Sequence, residues 1–130
     1  MIRLAVVDDH VIVRNGLEQL LATTDDIELV GMAANGLEAL DLVATTNPDV
    51  VLMDLSMPDM DGVEATRRIR TELPFIQVLG LSMQPRSHEP HAIERAGAVG
   101  YFTKGVDTQR LIDHLVVIHA NSVLGSRPSA

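Results

Sequence analysis

Short apolar runs that stop abruptly at polar residues constrain this fold more than any other feature. Residues 4–7, 50–53 and 77–81 are nearly continuous apolar segments of strand length. Such segments are typical of parallel strands, because helices cover a parallel sheet on both faces. Two more strands are predicted at Ile27–Ala33 and Gly100–Thr103. The sequence therefore predicts a sheet of five strands.

Helical patterns separate the predicted strands. Apolar residues recur three or four positions apart in four segments, which predict the first, second, third and fifth helices. These stripes are Val13, Leu17, Leu20 and Leu21; Leu37, Leu40 and Val43; Val63, Thr66 and Ile69; and Leu111, Leu115 and Ile118. A fourth helix is predicted to begin near Pro90 and to close at Ala96-Gly97. Five strands alternating with five helices predict a three-layer α/β domain.

Length and composition limit the number of domains and the kinds of partner that the chain can have. The chain has 130 residues, of which 46% are apolar, and this suits one domain with an aliphatic core. We expect the domain at residues 1–120 and a linker or flexible tail at 121–130. The absence of cysteine excludes disulfides, and the net charge of −8 argues against a general nucleic-acid surface. Because no apolar run is long enough for a membrane span, we expect no membrane partner and a cytoplasmic location.

Residues suited to phosphoryl chemistry follow the apolar runs. Asp8 and Asp9 end the first strand, Asp54 the third and Ser82 the fourth, while Lys104 follows the fifth. Parallel sheets place their functional groups at the carboxyl ends of the strands. An aspartate carboxylate can accept a phosphoryl group. Three converging carboxylates repel one another, so the sequence predicts that Mg²⁺, or Mn²⁺ in its place, binds between them.

Four motifs agree in type, order and spacing with one family. They are VVDDH at 6–10, MDLSMP at 53–58, DG at 61–62 and YFTK at 101–104. The chain resembles the receiver domain of bacterial two-component response regulators over residues 2 to about 120. The DDH triplet and residues 61–70 are most similar to receivers of the NarL/FixJ (LuxR-type) subfamily. The resemblance implies a flavodoxin-like (CheY-like) three-layer sandwich whose parallel strands have the order 2-1-3-4-5.

The resemblance also implies a role for each residue at the strand ends. Asp54 would be the phosphoacceptor, and the metal ligands would be Asp8, Asp9, Asp54 and the backbone carbonyl of Ser56. Lys104 would contact the phosphoryl group, while Ser82 and Tyr101 would be the switch residues. We expect His10 to pack at the start of the first helix, although it could line the acidic site.

The function implied is a phosphorylation-dependent switch. A sensor histidine kinase would donate the phosphoryl group, and enzyme activity beyond self-phosphorylation and slow autodephosphorylation is not expected. The first and fifth helices carry surplus apolar residues, which predict a homodimer through these helices on phosphorylation. The surplus residues are Val11, Ile12, Val13, Ile112, Val116 and Val117. DNA binding is expected only from a C-terminal helix-turn-helix domain absent from this chain.

Two other functions stay open at this point. A Mg²⁺-dependent aspartyl-phosphate hydrolase usually has a second aspartate two residues after the nucleophile, where this chain has Ser56, so that class is disfavoured. A phosphate-independent (atypical) receiver would keep the fold as an interaction module. Gly105 after Lys104, and Pro85 and Pro90 near the fourth helix, depart from the family pattern and keep this alternative open.

Overall fold

All five predicted strands are present in the computed structural model, which describes residues 1–54, 62–82, 94–103 and 108–125. Within these ranges the strands alternate with four helices. The strands are β1 (Ile2–Val7), β2 (Ile27–Ala33), β3 (Val50–Asp54), β4 (Gln77–Ser82) and β5 (Gly100–Thr103). The helices are α1 (Val11–Leu21), α2 (Gly36–Thr46), α3 (Gly62–Glu72) and α4 (Thr108–Gly125).

The sheet is parallel throughout, and its order is β2-β1-β3-β4-β5. This order confirms the prediction. Strand β3 lies at the centre, and all five of its residues are buried. A strand covered on both faces requires an apolar sequence, which explains why residues 50–53 contain no polar side chain.

Each face of the sheet has its own aliphatic core. On one face, Leu17 and Leu21 of α1 share a buried cluster with Leu111 and Leu115 of α4. On the other face, α2 and α3 contribute Ala39, Val43, Ala65 and Ile69. The three-layer architecture predicted from the alternating pattern is therefore confirmed, with α1 and α4 on the same side.

The turns around α2 follow from local side-chain chemistry. The Asn35 side chain accepts a hydrogen bond from the Glu38 backbone N–H at 2.9 Å, and Glu38 Oε1 accepts one from the Ala34 N–H at 3.2 Å. These bonds satisfy backbone donors at the start of the helix. Asn47 ends α2 in the left-handed conformation at φ 48°, which asparagine tolerates better than most residues.

Helix α4 corresponds to the fifth predicted helix and differs from the expectation in two respects. Ile112 was predicted as surplus surface, but it is 3% exposed and belongs to the core. The helix runs to Gly125, into the segment 121–130 predicted as a linker or tail. The domain boundary at residue 120 stays a prediction, since residues 126–130 lie outside the described ranges. No described helix combines the length and apolar character needed to cross a membrane.

The predicted fourth helix lies mostly outside the described residues, which resume at Glu94. Residues 94–97 end in a turn in which the Gly97 N–H donates to the Glu94 carbonyl oxygen at 3.0 Å. Gly97 has a φ of 117°, a conformation that favours glycine. This turn leads into β5, as the Ala96-Gly97 signal predicts.

Candidate functional site

Two buried carboxylates lie side by side at the carboxyl end of the sheet. Val7 of β1 pairs with Met53 of β3, so the residues that follow, Asp8 and Asp54, are neighbours. Both residues are fully buried. The backbone N–H of Asp8 donates to the Ala33 carbonyl oxygen of β2 at 3.0 Å, which holds Asp8 in line with the sheet. Strand geometry thus fixes the positions of both carboxylates.

Asp9 and His10 complete the acidic site. The His10 backbone N–H donates to Asp8 Oδ1 at 2.9 Å, which turns the chain back over the sheet as α1 begins. His10 Nδ1 then lies 3.0 Å from Asp8 Oδ1, 3.2 Å from Asp9 Oδ1 and 4.0 Å from Asp54 Oδ2. Of the two possibilities predicted for His10, the structure supports the second: the side chain is 56% exposed rather than packed, and its ring nitrogen lines the acidic site.

Arg14 fixes the first turn of α1 against β1. Its Nη1 donates to the Asp8 carbonyl oxygen at 2.6 Å. This oxygen belongs to the backbone at the end of the strand, so the bond ties the strand end to the helix. Arg14 was not predicted as a site residue, because an arginine on a predicted helix has no spacing signal of its own.

Gly62 allows α3 to start directly beneath Asp54. A Cβ atom at Gly62 would lie 2.1 Å from the Asp54 carbonyl oxygen and 3.1 Å from Met53 Cγ. The first distance leaves no room for a methyl group, so the close approach of the two backbones requires glycine. The buried Thr66 hydroxyl donates to the Gly62 carbonyl oxygen at 2.7 Å and stabilises this first turn. The Asp-Gly motif therefore has a steric explanation.

The donor set fits a hard divalent cation. One ligand atom from each of Asp8, Asp9, His10 and Asp54 lies within 4.8 Å of the others. Asp9 Oδ1 is shielded from solvent, and among the described residues it accepts no hydrogen bond. A shielded carboxylate oxygen without a donor is costly unless a cation compensates it. Mg²⁺ binds carboxylate oxygens and keeps several waters, which suits three clustered aspartates.

The other predicted site residues are only partly described. Ser82 is the last residue of β4, and it pairs with Thr103 at the same edge of the sheet as Asp54. Tyr101 lies in β5 with its side chain partly exposed. Ser56 and Lys104 lie outside the described residues. Their predicted roles, and those of the three aspartates, stay predictions.

Similarity to known proteins points to one family. The family model described as "Response regulator receiver domain" matches residues 4–116. Response regulator GacA of Pseudomonas viridiflava is 39% identical over 120 residues, which are 92% of this chain and 56% of that protein. An uncharacterized transcriptional regulatory protein of Bacillus subtilis (strain 168), YhcZ, is 43% identical over 112 residues, or 85% of this chain and 51% of its own length.

A solved structure has the same fold. The crystal structure of a LuxR-family two-component response regulator from Aurantimonas sp. SI85-9A1 matches with a TM-score of 0.86 and 37% identity, covering 93% of this chain and 86% of that one. The chain spans about half the length of the curated relatives it matches. What those relatives do as whole proteins therefore involves residues beyond this match.

Proposed function

We propose that this chain, which belongs to the response regulator receiver domain family, is a switch controlled by phosphorylation of Asp54. The resemblance to receivers predicted from the motifs is confirmed by the family match over residues 4–116. The observation that carries the proposal is the cluster of Asp8, Asp9 and Asp54 at the carboxyl ends of β1 and β3. A nucleophilic carboxylate beside two further carboxylates suits phosphoryl transfer, which depends on positioning and charge neutralisation.

Each residue of the site has a distinct proposed task. Asp54 attacks the phosphoryl group and holds it as an acyl phosphate, while the donor departs with the bonding electron pair. Asp8, Asp9 and Asp54, together with the Ser56 backbone carbonyl, hold Mg²⁺ or Mn²⁺. The ion supplies charge neutralisation at the phosphoryl oxygens when it is bound. Gly62 and Arg14 keep the strand ends in place.

Lys104, Ser82 and Tyr101 respond to the phosphorylation of Asp54 and change the conformation of the domain. Lys104 pairs with a phosphoryl oxygen, Ser82 donates its hydroxyl to the same group, and Tyr101 changes position as the switch aromatic. The position of Ser82 and Thr103 at the same sheet edge supports this assignment. Phosphorylation then favours one of two conformations by the difference in its interaction energy with each.

We propose that the output is homodimerisation through α1 and α4. Both helices pack on the same face of the sheet, and both leave apolar side chains exposed. Val11 and Ile12 are exposed on α1, with Ile12 at 86%, while Val116 and Val117 are exposed on α4. Covering these side chains would remove apolar surface from water, which favours association.

The biological setting is proposed on the same basis. The phosphoryl donor is a sensor histidine kinase, and the protein acts in the cytoplasm without enzymatic turnover beyond self-phosphorylation and slow autodephosphorylation. Transcription is controlled by a helix-turn-helix domain outside these 130 residues. Support comes from the transcriptional and LuxR-family names of relatives that are longer than this chain.

Intact-mass analysis after incubation with Mg²⁺ and acetyl phosphate tests the chemistry. The parent protein should gain one phosphoryl group, and Asp54→Asn should gain none. Asp41→Asn is the matched control, because it makes the same chemical change on the exposed side of α2. Light scattering on the phosphorylated sample should show a dimer, which Ile12→Asp should weaken. Failure of the folded, Mg²⁺-binding parent protein to gain a phosphoryl group would favour the phosphate-independent module.

A further inference from the structure

The imidazole of His10 lies within hydrogen-bonding distance of Asp8 Oδ1, an oxygen that also accepts a hydrogen bond from the His10 backbone. The backbone N–H of His10 already satisfies Asp8 Oδ1 at 2.9 Å, so the turn into α1 is stabilised without the ring. The ring nevertheless lies over the site, with Nδ1 at 3.0 Å from Asp8 Oδ1 and 3.2 Å from Asp9 Oδ1. Among the described residues, His10 Nδ1 is thus a nitrogen atom placed beside the carboxylate oxygens of the cluster.

These separations match those of neighbouring ligands on one ion. Two ligands at right angles around an ion with bonds of 2.0–2.1 Å are about 3 Å apart. The distances from His10 Nδ1 to the Asp8 and Asp9 oxygens have this length. The 4.0 Å separation from Asp54 Oδ2 falls within the spread expected across the same coordination sphere. The nitrogen and the three carboxylates can therefore face one cation together.

We propose that His10 Nδ1 is a further protein ligand of this site and raises its affinity for divalent transition-metal ions more than its affinity for Mg²⁺. Imidazole is a good ligand for Co²⁺, Ni²⁺ and Zn²⁺, whereas Mg²⁺ favours carboxylate, carbonyl and water oxygens. A site with oxygen ligands alone lacks this source of discrimination. The inference rests on the cation site of the proposed function and specifies which ions that site selects.

The side chain has the freedom that such a ligand needs. His10 is 56% exposed at the mouth of the site, while Asp8 and Asp54 are fully buried beneath it. The carboxylates are thus fixed by the sheet, and the imidazole reaches them from the solvent side.

Calorimetric titration with Co²⁺ and with Mg²⁺ tests the inference on three proteins: the parent, His10→Ala and His114→Ala. His10→Ala should lower Co²⁺ affinity at least about tenfold, as loss of a group that supports metal binding commonly does. Mg²⁺ affinity should change less than about threefold, because water replaces the nitrogen. His114→Ala removes an exposed histidine of α4 and should leave both affinities unchanged.

Paramagnetic NMR of the Co²⁺ form provides a direct signature. Ring protons of a coordinated imidazole should show strongly shifted resonances in the parent protein and in His114→Ala, and these should be missing in His10→Ala. Equal affinity changes for the two ions, or a gain for both on removing His10, would overturn the inference and make the ring a competitor of the cation. Failure of the parent to bind Mg²⁺ at all would instead contradict the cation site of the proposed function.

Discussion

The two ends of the sheet use the same residue types in opposite ways. At the amino end, Asp49 Oδ2 accepts a hydrogen bond from the Arg3 backbone N–H at 2.9 Å and lies 3.7 Å from His119 Nε2. At the carboxyl end, Asp8 and Asp54 converge with Asp9 around a single imidazole. The first arrangement places one carboxylate against a backbone donor of β1 and near an imidazole of α4. The second concentrates negative charge where a cation can compensate it.

The difference is consistent with a stabilising role for the amino end and with the cation binding proposed at the carboxyl end. The backbone of Asp49 also joins three strands, because its N–H donates to the Arg3 carbonyl at 2.8 Å and its carbonyl accepts from the Gln77 N–H at 3.0 Å. Carboxylates that repel one another reduce stability until a ligand arrives. Such a loss of stability is common at the carboxyl ends of parallel sheets, because functional groups are concentrated there.

The largest effect should come from adding bulk at the carboxyl end. Gly62→Ala places a methyl group 2.1 Å from the Asp54 carbonyl oxygen, so α3 or β3 must move. Overpacking against backbone should lower the free energy of unfolding by about 3 kcal/mol, as measured by urea denaturation. Phosphoryl uptake should fall as well, because Asp54 is the residue that is displaced.

Gly16→Ala is the matched control for Gly62→Ala. Gly16 lies inside α1, and a Cβ atom there would have no neighbour within 4 Å. Alanine is the better helix former, so this change should raise the free energy of unfolding by about 0.5–1 kcal/mol. If both substitutions changed stability by the same small amount, the close contact beneath Asp54 would not be a determinant of the site.

Replacing aspartate by asparagine should change the free energy of unfolding in opposite directions at the two ends of the sheet. Asp9→Asn removes one of three converging charges and should raise the free energy of unfolding by about 1 kcal/mol in Mg²⁺-free buffer. Asp49→Asn weakens a charge-assisted hydrogen bond from the Arg3 N–H. This change should lower the free energy of unfolding by about 1 kcal/mol. Urea denaturation of both variants in one buffer measures the contrast.

Added Mg²⁺ should affect the stability of the two variants differently. It should raise the stability of the parent protein and of Asp49→Asn, because a ligand that binds the native state stabilises it. The increase should be much smaller for Asp9→Asn. Destabilisation of both variants by a similar amount, with an equal response to Mg²⁺, would mean that the two ends do not differ in the way described.

Sequence patterns anticipated the sheet because burial on both faces leaves a clear signature. The strands predicted at Ile27–Ala33 and Gly100–Thr103 have those same bounds in the structure. The positions of Asp8 and Asp54 followed from the same logic, since each residue comes where an apolar strand ends. The pairing of Val7 with Met53 then brings the two together, as parallel topology requires.

Features that depend on side-chain direction or backbone approach were not predictable in this way. For His10, packing was favoured over a place in the acidic site, because sequence spacing does not indicate where a ring points. Ile112 was counted as surface, since its place on α4 depends on how that helix is rotated against the sheet. Gly62 was recognised only as part of a motif, because its contact with Asp54 arises from the approach of two distant segments.

A carboxylate outside the acidic cluster provides the smallest predicted effect. Glu64 lies on the exposed side of α3, where hydrogen bonds from the Arg67 side chain and, to a lesser degree, from Arg68 hold the pKa of its carboxyl below the ordinary value of 4.5. A lowered pKa means that the ionised form is favoured in the folded state. Its contribution to stability is therefore complete above pH 4.5 and is lost as the pH falls through the lowered pKa.

Glu64→Gln should accordingly lower stability slightly at pH 7, and the difference from the parent should disappear in acid. Thermal unfolding of both proteins across this pH range measures the effect, and added salt should reduce it, because exposed charges are screened. Arg110→Gln changes an exposed arginine of α4 and controls for the loss of a surface charge. A stability difference that persisted in acid would assign the effect of Glu64→Gln to helix propensity and not to charge. The effects predicted for the carboxylates at the sheet ends arise instead from burial and charge density.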